Sequence, residues 1–129
     1  MNYEDEKDYI MRLIKAIARV LINLIFGRQP ARSEEPSQNP YGISGGKMEE
    51  IKAMVDRGEM NEAENTLLDD IDLTDREAVA ALIFFYEYTG AKDPAFLNEH
   101  RYSQEEALEG LKQLAARLGY QNVTSLLEI

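Results

Sequence analysis

Arg57-Gly58-Glu59-Met60-Asn61 reads as the hinge of a helical hairpin. Glycine reaches the left-handed backbone that closes a helix C-terminus. An Asn three residues later carries an oxygen that can accept the orphan N–H groups of the next helix. The same spacing recurs in Thr89-Gly90-Ala91-Lys92-Asp93 and in Leu118-Gly119-Tyr120-Gln121-Asn122. The three glycines stand about 30 residues apart, a period typical of helix-pair arrays. No stretch alternates apolar and polar residues as a strand would. The chain therefore reads as all-α: an N-terminal helix over 1–27, a linker over 28–46 and an array of αα-hairpins over 47–129.

Outward from Gly58, Met48, Ile51, Met54 and Val55 form one apolar stripe, and Ala63, Leu67, Leu68 and Ile71 another. Asn61 with Glu64, Thr74 with Glu77, and Ser103 with Glu106 have the form of capping boxes. Asp93-Pro94 pairs a cap with the proline favoured at the first helical position. Between them, Val79 to Tyr88 is almost wholly apolar, as expected of a helix at the centre of a domain. The stretch Asp56 to Leu68 resembles the middle of a tetratricopeptide repeat, with Gly58 ending one helix, Ala63 at the crossing and Leu67 following on the second helix. It covers about half a repeat and lacks the proline that usually closes it, since Ile71-Asp72-Leu73 stands there. The resemblance implies a helical array that binds a protein or peptide.

The N-terminal segment opens on Glu4, Asp5, Glu6 and Asp8, which suit the positive end of a helix dipole. Gly27 stops the run that follows. Arg12, Lys15, Arg19 and Asn23 share one arc of about 80°, and the rest of 10–26 is apolar. A secretory signal is disfavoured by the acidic start and the lack of a small-residue cleavage site. A bilayer span would bury three cations in a short run. A membrane-surface helix fits the basic stripe but usually has a wider polar face. The reading preferred here packs one flank on the chain's own domain and the other on a second copy, through Ile10, Leu13, Ile14, Ile17, Leu21 and Leu24. Burial wholly within one chain is the alternative. Pro30, Pro36 and Pro40 with Gly42, Gly45 and Gly46 forbid a helix in the linker. A tether of that length would let the first helix dock on a neighbouring chain as easily as on its own.

Composition removes several classes of function. With no cysteine and His100 as the lone histidine, thiolate chemistry and histidine metal clusters within one chain are excluded. The net charge of −10 is uneven: residues 9–33 carry five bases and no acid, while 34–129 hold 20 acids against 8 bases. Such a body repels phosphate backbones, so no nucleic-acid partner is expected. Gly46-Lys47 lacks the glycine and hydroxyl residue of a phosphate loop. Asp70, Asp72 and Asp75 lack the glycine and the bidentate acid of a calcium loop. No cofactor, metal or catalytic residue is expected. Tyr86 and Tyr88 are the candidates to line a groove, because their hydroxyls need a partner or water.

As a whole the chain resembles a family of short, uncharacterised bacterial proteins that begin with a run like Tyr9-Ile-Met-Arg-Leu-Ile-Lys15 and end in a tetratricopeptide-like domain. That resemblance implies the fold and no activity. The expectation is a cytoplasmic, non-enzymatic interaction scaffold that forms homo-oligomers through its first helix. A membrane-surface adaptor, and a small-ligand binder or enzyme using the aromatic groove, are the alternatives.

Overall fold

The computed structural model describes residues 3–27, 43–69 and 71–127. These form seven helices and no strand: α1 (Tyr3–Phe26), α2 (Gly45–Asp56), α3 (Met60–Leu68), α4 (Arg76–Gly90), α5 (Pro94–Glu99), α6 (Gln104–Arg117) and α7 (Gln121–Leu127). The fold is all-α. Helix α4 lies at its centre, with every residue from Val79 to Tyr86 buried. An apolar circumference demands cover on every side, and α1, α2, α3 and α6 supply it.

Helix α1 ends where the sequence places its stop. Gly27 is left-handed, with φ of 72°, and its N–H reaches the Asn23 carbonyl at 2.8 Å. The helix packs on α4, α6 and α7. Its Ile14, Ile17, Ala18, Leu21 and Ile22 enter the same core as Val79–Tyr86 and Leu111. Helix α1 thus shares one core with the helices that follow it. This also redistributes the residues expected to form a seam between copies. Leu13, Ile14, Ile17 and Leu21 are buried in the chain's own core, Ile10 is half-buried against it, and Leu24 stays exposed. All six share one arc of about 100°, so the difference follows position along the helix: the four central residues are buried, and Ile10 and Leu24, the outermost two, are not.

Three turns carry the same closing geometry, but they are not the three expected. After α2, Glu59 N–H bonds the Met54 carbonyl at 2.8 Å and Gly58 N–H bonds Val55 at 2.9 Å, with Gly58 φ at 87°. After α6, Tyr120 N–H bonds Ala115 at 2.7 Å and Gly119 N–H bonds Ala116 at 3.0 Å, with Gly119 φ at 90°. Both are Schellman turns. The third is at Arg101, with φ of 61°, where Tyr102 N–H reaches the Leu97 carbonyl at 2.9 Å and Arg101 N–H reaches Asn98 at 3.1 Å. Gly90 makes no such turn. It is the last residue of α4, and a Cβ there would lie 2.8 Å from the Ile14 methyl, so its smallness admits α1.

The caps divide likewise. Asp93 accepts from Ala95 N–H at 3.1 Å and Ser103 from Glu106 N–H at 3.0 Å, as expected. Asn61 and Asn122 lie inside α3 and α7 and cap neither. Helix α4 is capped by Asp75 instead of Thr74, and Glu77 accepts the Ser44 N–H at 3.0 Å. That bond pins the start of α2 onto α4. Ile43 is already buried, and Gly45 and Gly46 open α2, within the stretch where the prolines and glycines predict no helix. Residues 28–42 of the expected linker, and Asp70 of the acidic turn, lie outside the described residues.

Candidate functional site

The richest polar constellation runs along α3, where it meets α4 and the turn between α5 and α6. Positions 61 and 64 lie one helical turn apart on the same face of α3. The Asn61 side chain donates through Nδ2 to the carbonyls of His100 at 3.2 Å and Arg101 at 3.4 Å. Glu64 accepts the Tyr86 hydroxyl at 2.7 Å and the Tyr102 hydroxyl at 3.3 Å. Both rings are buried and the Phe85 ring meets each edge-on. Burial first, and the Glu64 carboxylate second, hold both phenols well above the usual tyrosine range. They remain protonated donors throughout the neutral range. Their chemistry is thus committed to binding Glu64.

Glycines set the close approaches around this seam. A Cβ at Gly110 of α6 would lie 2.4 Å from the Tyr86 ring, so only glycine lets α6 pass over it. A Cβ at Gly58 would lie 2.3 Å from the His100 imidazole, which rests on the bare turn. The Phe96 ring also meets that imidazole, at 4.8 Å between centroids. The Gly58 and Arg101 turns therefore clasp each other, one through the imidazole on glycine and the other through the Asn61 amide. His100 acts as a packing piece, which its position beside charged neighbours in the sequence did not disclose.

Of the two tyrosines expected to line a groove, Tyr86 is buried in the core. Tyr88 is half-buried on the outer side of α4, stacked on Phe84 at 5.6 Å. Its hydroxyl donates to Asp56 at 2.8 Å, Lys92 bonds the same carboxylate, and the Lys92 ammonium lies 4.8 Å from the Tyr88 ring centroid. The Lys92 and Tyr88 hydrogen bonds hold the Asp56 carboxyl below its usual range. This cluster joins the end of α2 to the end of α4, and each donor already has its acceptor.

Among the described residues, no group of three or more His, Asp or Glu side chains is placed to hold a metal ion. No helix among them is long and apolar enough to cross a membrane. Residues 4–119 match the family of unknown function DUF6483. The chain belongs to that family. The matched span takes in α1, the α3 seam and both clasped turns of this DUF6483 protein, and ends at Gly119, before α7. No curated protein and no solved structure matches the chain.

Proposed function

We propose that this DUF6483 protein is a non-enzymatic protein-interaction scaffold that self-associates by exchange of α1. The packing of α2 on α3, with α4 against both, supports the tetratricopeptide-like part of this reading. The support for a scaffold over an enzyme is the use made of the reactive side chains. The Tyr86 and Tyr102 phenols serve Glu64, and the His100 ring serves Gly58.

The single observation that carries self-association is the docking of α1. Its inner face, with Leu13, Ile14, Ile17 and Leu21, is core to the fold, yet it joins α2 only through residues 27–44. A helix held by apolar contacts makes the same contacts with its own body or with a neighbour's, so exchange needs no new interface. Two tagged populations mixed at high concentration and analysed by light scattering and native mass spectrometry test this. Mixed dimers that revert to monomers on dilution are expected. Monomers alone at every concentration, with no mixed species, overturn it.

A further inference from the structure

Helix α1 carries the charges of its polar stripe in two blocks. Glu4, Asp5, Asp8, Arg12, Lys15 and Arg19 occupy positions within one arc of about 100°. The acids fill the start of that stripe and the bases its middle. Asp8, Arg12, Lys15 and Arg19 are all exposed, on the side of the helix opposite the buried Ile17 and Leu21.

The helix dipole accounts for the acids, which stand at its positive end. It does not account for the bases. Cations suit the last turn of a helix, and the last turn of α1 has none. They stand three and four residues apart instead, where like charges on one helix face repel. None of the three forms an ion pair among the described residues, where the pairs are Lys52–Glu49, Arg57–Glu59 and Lys92–Asp56. Glu87 of α4 acts on Lys15 and Arg19 only from a distance.

The order of the blocks selects the occupant. An acidic helix would suit the bases and be repelled by Glu4, Asp5 and Asp8. Anionic lipid meets the same acids. A second α1 laid parallel sets like against like. Laid antiparallel, it sets each acidic block along the other copy's basic block, twice over by symmetry. With the two-fold axis at position 11, position 8 falls opposite 14, between Arg12 and Lys15. Position 4 then falls opposite 18, beside Arg19.

We infer that this charged stripe is a contact between two copies of the chain, α1 antiparallel to α1. Exposed ion pairs add little singly, so the contact is a low-affinity one, and the charge order supplies its direction and specificity. It does not rest on exchange of α1, which uses the inner face, so the two fail separately.

Sedimentation velocity of the full chain from about 10 μM to about 1 mM tests it. A dimer in rapid equilibrium is expected, weakened at least ~10-fold between about 20 and about 500 mM NaCl. Asp5→Lys with Asp8→Lys reverses the acidic block, and Arg12→Glu with Lys15→Glu reverses the basic one. Each reversed chain alone should lose dimerisation ~10-fold or more. The two mixed should form heterodimers, and one chain carrying all four reversals should dimerise as the parent does. Lys52→Glu, on α2, should change nothing. A parent that stays monomeric, or reversed chains that stay monomeric when mixed, overturns the proposal. Dimers that form slowly and persist in every reversed chain arise by exchange and overturn it too, leaving that reading intact. So does sedimentation with vesicles of about 30 mol % phosphatidylserine that the basic-block reversal abolishes, which would assign the stripe to lipid.

Discussion

The two sides of α4 are held by opposite means. Towards α1 the contact is apolar: the Ile14 methyl sits over Gly90, and Ile17 and Leu21 fill the space beyond. Towards α3 the contact is directional, since the Tyr86 hydroxyl has one acceptor, Glu64, and the adjoining turn is fixed by Asn61. Apolar burial is indifferent to which atoms supply it, whereas a buried phenol displaced from its acceptor stands unsatisfied. The α3 side therefore fixes register, and the α1 side supplies area. That difference is why α1 is the element we propose to exchange.

The largest effect should come from deepening that contrast. Ile17→Ala removes a wholly buried side chain between α1 and the body and should cost about 3–4 kcal/mol. Urea denaturation gives the magnitude, and amide exchange gives its distribution. The Tyr102 and Glu59 amides of the clasped turns should keep much of their protection while α1 amides lose theirs. Uniform loss across both regions would abolish the distinction between a register side and an area side.

The next test compares two turns of one geometry. Gly58 and Gly119 are both left-handed, at 87° and 90°, but only Gly58 has the His100 ring against it. Gly119→Ala should cost about 1–2 kcal/mol for the backbone alone. Gly58→Ala should cost about 2–3 kcal/mol, because the imidazole must also give way. In the His100→Ala background the two alanines should cost the same, a coupling that a double-mutant cycle reads directly.

The features legible in the sequence were local ones. The reach of α1, the caps at Asp93 and Ser103, the turns at Gly58 and Gly119 and the centrality of Val79–Tyr86 all follow from patterns a few residues long. Where reading failed, a distant partner had decided the outcome. Gly90 has the same letters around it as a turn glycine, yet its smallness answers to Ile14. Glu77 is spaced as a capping residue for Thr74, but its carboxylate is used by Ser44, 33 residues upstream. For the candidate seam, Glu64 gave no sign that Tyr86 and Tyr102 would both converge on it, 22 and 38 residues away in sequence.

Arg101 is the sharpest of these cases. A left-handed turn normally advertises itself by glycine, and here an arginine takes that conformation while Asn61 holds its carbonyl. Arg101→Gly should relieve the backbone and stabilise the protein by about 0.5–1.5 kcal/mol. The gain should persist in Asn61→Ala if the backbone alone is responsible. A gain confined to the parent would mean that the clamp and the strain are one device, which would strengthen the claim that this side fixes register.

The smallest expected effect lies where the area side carries a partly buried carboxylate, Glu87. Burial raises the Glu87 carboxyl pKa, while Lys15 and Arg19 of α1 pull the other way without prevailing. A carboxylate raised on folding binds its proton more tightly in the native state. Its charge therefore weighs against the fold above the raised pKa. That burden is relieved as the pH falls through the raised value towards 4.5, the ordinary value of the unfolded chain. Glu87→Gln should therefore raise the melting temperature by a few degrees at neutral pH, and the gain should vanish in acid, where Glu87 is already neutral. A fall at neutral pH would mean that the attraction of Lys15 and Arg19 outweighs desolvation. The α1 contact would then be electrostatic as well as apolar, and exchange of α1 would respond to salt.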